Sequence, residues 1–119
     1  LLLADTLQVV ATTTTDAAGG YLFADVVTGS YVVRVTTPAG YVSSSGTPNS
    51  LFGPFEPAPN VGANGRDHGT TVAGGFVVSG RIDLVPGLQP TGEVAPGQTA
   101  DPVADANSNR TVDFGFTLP

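Results

Sequence analysis

The chain has 119 residues, the size of one domain, with 40% hydrophobic and only 12% charged residues. Ten acids against four arginines and no lysine give a net charge of -6, which excludes the clustered basic surface that a nucleic-acid partner needs. There is no cysteine, so disulfides and thiolate chemistry are excluded, and no run approaches the ~20 apolar residues of a membrane span.

Leu1-Leu2-Leu3 lacks the basic region of a signal peptide, and without an initiator Met the chain reads as a processed or partial segment. Residues 7–11, followed by Thr12 to Thr15, are rich in β-branched side chains and predict a strand. Asp16-Ala17-Ala18-Gly19-Gly20 predicts a tight turn. Tyr21-Leu22-Phe23 predicts a strand with both aromatics on one face. Thr28-Gly29 is a second turn. Residues 31–36 give the clearest strand, with Tyr31, Val33 and Val35 inward and Val32, Arg34 and Thr36 outward. Pro38-Ala39-Gly40 closes it, because proline donates nothing to a ladder.

Residues 43–70 form a long irregular stretch rich in proline and glycine, with Leu51, Phe52 and Phe55 as apolar anchors. Residues 76–85 predict one strand, or two kinked at Gly80, with Ile82 and Leu84 on the face opposite Arg81 and Asp83. A second loop runs from Pro86 to about Asn109. Residues 111–117 predict a last strand with Val112, Phe114 and Phe116 inward and Asp113 outward. About six short strands with turn-rich joints make the pattern of an antiparallel β-sandwich in one domain, residues 1–119.

Thr14-Thr15-Asp16-Ala17-Ala18-Gly19-Gly20-Tyr21-Leu22-Phe23, then Gly29-Ser30-Tyr31-Val32-Val33-Arg34-Val35 and Pro38-Ala39-Gly40-Tyr41, closely resemble the SdrD B-like family. Its usual run is T-T-D-A-D-G-x-Y-x-F, then G-x-Y-x-V-x-V, then P-x-G-Y. Thr111-Val112-Asp113-Phe114-Gly115-Phe116 resembles its closing strand. The resemblance implies an all-β, prealbumin-like (immunoglobulin-like) sandwich of the Cna B type, found in bacterial surface proteins.

Three departures bear on function. The family opens with a strand and an acidic, EF-hand-like loop, whereas this sequence starts at what reads as the second strand. Ala18, Gly62 and Ala63 are neutral where the family is usually acidic. With no lysine, the internal isopeptide crosslink of related domains cannot form. A sandwich lacking its first strand exposes backbone donors and acceptors, to be filled by residues outside this sequence or by a strand from a neighbouring copy.

Reactive chemistry finds little support. The lone His68 could pair with Asp67 and with Ser43, Ser44 or Ser45, but no nucleophile-elbow sequence is present. Glu56 and Glu93 lie in separate proline-rich loops. The chain reads as no enzyme. Asp101, Asp105, Asn107 and Asn109 share one polar loop and are the candidate ligands for a calcium ion, with Asp16 and Asp67 at positions acidic in the family. Asn109-Arg110-Thr111 is a glycosylation sequon, and Thr12 to Thr15 could carry O-glycans.

The expected function is a non-enzymatic structural module of an extracellular, cell-surface adhesin, stalk or filament. Its expected partners are flanking domains or neighbouring copies, with polymerisation by strand exchange. The alternative is a module that binds a glycan or a matrix or host protein through residues 43–70. A domain accessory to an attached enzyme ranks third.

Overall fold

The computed structural model describes residues 1–44, 69–89, 107–109 and 112–119. The described residues contain eight strands and no α-helix: β1 (Leu2–Leu3), β2 (Gly29–Val32), β3 (Arg34–Thr36), β4 (Val42–Ser43), β5 (Thr70–Val72), β6 (Phe76–Val78), β7 (Ile82–Leu84) and β8 (Phe116–Thr117). They pair in the orders β1-β2-β7, β3-β6-β5 and β4-β8, antiparallel throughout. Over the described residues the chain is an all-β, prealbumin-like sandwich. No helix is long and apolar enough to cross a membrane among the described residues.

The first two sheets share a continuous pair of strands with a break in register. On one side Gly29, Ser30 and Tyr31 face Leu84, Asp83 and Ile82. Beyond the break Arg34, Val35 and Thr36 face Val78, Val77 and Phe76. Between these runs two residues, Val32 and Val33, lie opposite three, Ser79, Gly80 and Arg81. That inequality is a one-residue bulge, which bends the pair and raises its twist. The strand predicted over 31–36 therefore starts at Gly29 and divides at Val33, and the kink read at Gly80 is the other wall of the same bend.

The core gathers on one side of this ribbon. Leu1, Tyr31, Val33 and Ile82 are buried together, and Tyr21, Phe23, Val35, Leu84, Val112 and Phe114 pack around them. Among the described residues Val77 is the most buried apolar side chain, at 1% exposure. Alternation assigned the inward residues 31, 33 and 35 correctly. It assigned Val32 to solvent, yet Val32 is buried and paired with Leu2, also buried. Alternation fixes which face a side chain takes, not whether that face is covered.

Other expectations are corrected. Leu1-Leu2-Leu3, given no element in the sequence reading, supplies β1. Residues 7–11 form no regular strand. Leu7 takes φ 58°, a left-handed conformation that costs a leucine roughly 1–2 kcal/mol. This turns the chain so that the Leu3 amide donates to the Gln8 carbonyl at 2.9 Å and the Val10 amide to that of Leu1 at 2.9 Å. The segment lies back along β1 with one bridge, Leu2 to Val9, leaving Leu7, Val9 and Val10 exposed.

Tyr21 and Phe23 do share the inner face with Leu22 outside, but no ladder holds them. Side chains do instead: the rings meet edge to face at 6.0 Å. Of the described residues 112–117 only Phe116–Thr117 is strand, paired with the two-residue β4. Asp113 is half-buried. The irregular stretch 43–70 is strand at both ends. Ser43 closes β4 and Thr70 opens β5, which pairs with β6 through Ala73-Gly74-Gly75. Gly74 and Gly75 take φ 93° and 79° there, a conformation glycine adopts without a Cβ penalty.

Candidate functional site: a braced bend and a capped sheet edge

At the bend the normal ladder is interrupted, and one serine replaces it. The Val33 amide donates to Ser79 Oγ at 2.9 Å, and the Ser79 amide donates to the Val33 carbonyl at 2.8 Å. Ser79 Oγ then donates to the Gly80 carbonyl at 2.9 Å. Ser79 is 5% exposed, so its hydroxyl spares a buried amide the cost of having no partner.

Just past the bend, Arg81 and Asp83 project outward, as alternation predicted. Arg81 Nε meets Asp83 Oδ1 at 2.9 Å and its Nη2 donates to Ser30 Oγ at 2.8 Å, while Ser30 Oγ donates to Asp83 Oδ1. The Ser30 hydrogen bond first, and Arg81 second, hold the Asp83 carboxyl below its usual range. A carboxylate stabilised in its charged form is a weak base, so the Ser30 hydroxyl is not activated. The trio is solvent-exposed and adds little stability.

Several of the residues behind the family resemblance shape the backbone. Asp16 Oδ1 accepts the Ala18 amide at 2.9 Å and the Gly20 amide at 2.8 Å, closing the 16–20 turn with Gly19 at φ 84°. The Tyr31 ring lies over Gly29, where an added Cβ would come within 3.2 Å of it, and its hydroxyl donates to the Val27 carbonyl at 2.7 Å. Gly40 takes φ 83° as the Tyr41 amide reaches back to the Pro38 carbonyl at 3.1 Å, a type II turn. Tyr21 donates to the Val112 carbonyl at 2.5 Å, which joins the first turn region to the C-terminal segment. Burial first, and the Asp113 charge second, push the Tyr21 phenol well above its ordinary pKa.

The second notable cluster sits beside β7. Gln89, buried at 8% exposure, donates from Nε2 to the Asp83 and Val85 carbonyls at 3.1 Å each. Its Oε1 accepts Asn109 Nδ2 at 3.2 Å. Nearby, the Gly87 amide donates to Asn107 Oδ1 at 2.6 Å.

These contacts locate half of the candidate calcium set. Asn107 and Asn109 brace the loop after β7, while Asp101 and Asp105 lie outside the described residues. Asp67, His68, Ser45, Glu56, Glu93, Gly62 and Ala63 also lie outside them. Ser43 is in β4 and the Ser44 amide donates to the Gly115 carbonyl at 2.9 Å. No group of three or more His, Cys, Asp and Glu side chains is gathered among the described residues. The sequence reading missed Ser79 and Gln89. Only the Ser79-Gly80 interruption of an apolar run pointed to the first, and nothing local pointed to the second.

Residues 1–50 match the SdrD B-like domain family. That span contains the T-T-D-A-A-G-G-Y, G-S-Y and P-A-G-Y runs and stops short of the closing strand. Colossin-A of Dictyostelium discoideum is 46% identical over 41 residues, which cover 34% of this chain and, to the nearest per cent, 0% of Colossin-A. The chain thus spans a very small fraction of that relative's length. No solved structure matches the chain.

Proposed function

We propose that this chain is a non-enzymatic structural module of an extracellular, cell-surface protein, a sandwich that spaces flanking domains and joins neighbours. The observation that carries this reading is the use made of the family-like residues. Asp16, Tyr21, Gly29, Tyr31 and Gly40 each serve a turn, a core contact or a backbone hydrogen bond within the chain. SdrD B-like domains occur in cell-surface proteins, and an acidic surface without lysine suits that setting. The Ser30 hydroxyl donates to Asp83, a carboxylate held in its charged form and so a weak base.

Joining by strand exchange between copies belongs to the same proposal. Sedimentation and electron microscopy of the whole chain test it: concentration-dependent linear assemblies support exchange, and a monodisperse monomer at millimolar concentration sinks it. Arrays of glycans and matrix proteins test the module role itself. Specific binding abolished by changes within residues 43–70 would replace the structural reading with a ligand-binding one.

A further inference from the structure

Among the described residues β7 is the outer strand of the sheet ordered β1-β2-β7, and the register shows which of its backbone groups face outward. Ser30 lies opposite Asp83, and the Ser30 carbonyl accepts the Ala4 amide at 3.0 Å, on the β1 side. In an antiparallel pair, opposite residues either exchange both hydrogen bonds or both turn away from each other. Ser30 turns away from β7, so the Asp83 carbonyl turns away from β2 and out of the sheet. Val85, two residues on, shares that side.

An outer strand presenting such carbonyls is a template for a further strand. Beside it Val85 is an exposed apolar side chain, at 37% exposure, while Ile82 and Leu84 face the core. Here the template is occupied from within. The Leu88 amide returns to the Val85 carbonyl at 3.1 Å with Gly87 at φ 79°, a proline-glycine turn that swings residue 89 back alongside its own strand. A primary amide has two N–H donors, and Gln89 Nε2 lies within bonding distance of both outward carbonyls. Asn109 fixes the other end of the carboxamide.

We propose that Gln89 is an edge cap: its carboxamide closes β7 to a strand from a second copy of this chain. Any joining of copies by strand addition then uses a different edge. The inference rests on the β7 register and not on the proposed function, so either can fail alone.

The test compares the whole wild-type chain with Gln89→Leu, which keeps the buried volume and removes both donors. Sedimentation equilibrium from micromolar to millimolar concentration reads the mass, and amide hydrogen exchange reads the edge. Gln89→Leu is expected to self-associate about tenfold more tightly than wild type, with exchange at Asp83 and Val85 slowing as concentration rises. A folded Gln89→Leu chain with wild-type mass and exchange overturns the proposal. Association without slowed exchange at those two residues also overturns it, since the contact would lie elsewhere. Should Gln89→Leu fail to fold, Gln89→Asn, one methylene too short to reach both carbonyls, is judged by the same two readings.

Discussion

Val33 and Ser79 are bonded to each other twice across the bend of the ribbon, amide to hydroxyl at 2.9 Å and amide to carbonyl at 2.8 Å. Only the first of these bonds depends on a side chain. Ser79→Ala leaves the buried Val33 amide without its acceptor, and the expected cost is about 1–3 kcal/mol. Urea unfolding checks this: the midpoint falls while the slope stays at its wild-type value, because the surface exposed on unfolding is unchanged.

Gly69 is held against the most buried residue of the core. A Cβ there would lie 2.1 Å from Val77 Cγ1, and the backbone sits at φ 127°. Gly69→Ala is expected to cost about 1–3 kcal/mol by overpacking alone, with backbone strain in addition. In a double-mutant cycle, Val77→Ala should recover part of the overpacking loss, giving a favourable coupling of about 0.5–3 kcal/mol. Additive losses in thermal unfolding would show that the backbone conformation alone sets the cost.

Tyr21 anchors the first turn region to Val112. Tyr21→Phe leaves that carbonyl short of a partner and should cost about 1–2 kcal/mol in chemical unfolding. The alkaline limb tests the phenol. Its folded pKa lies above the ordinary value of 10.0, so the neutral form contributes stability that is present below pH 10 and lost as pH rises above it. Wild type should therefore lose more stability above pH 10 than Tyr21→Phe does, and parallel curves would refute the assignment.

Asp83 carries the opposite sign. Its folded pKa lies below the ordinary 3.8, so its contribution is present above that value and lost as pH falls through the depressed one. An NMR titration of the Asp83 carboxyl should show a low midpoint. Ser30→Ala and Arg81→Ala should each raise it, because both side chains hydrogen-bond the carboxylate.

Much of the architecture was legible along the chain. The turns at Asp16 and Gly40 were readable because their residues solve a local backbone problem, two amides to satisfy in one and a positive φ in the other. The inward set Tyr31, Val33 and Val35 was readable because alternation is a property of one strand. The strand at residues 7–11 was misread for a complementary reason. β-branched composition favours a pleated surface but does not supply a partner, and the turn at Leu7 left only a single bridge to Val9.

The sequence by itself determined that this protein is an antiparallel all-β chain, acidic and without lysine or cysteine, with SdrD B-like turns in its first half. Each of those properties is local or compositional. Tertiary structure alone decided that Val32 is buried, that Ser79 braces the bend and that Gln89 covers the outer edge of β7. These depend on register across strands distant in sequence, where one extra residue between Val78 and Ile82 changes which groups meet. Hydrogen-bond partners 46 residues apart, as Val33 and Ser79 are, leave no periodic trace for either segment to show.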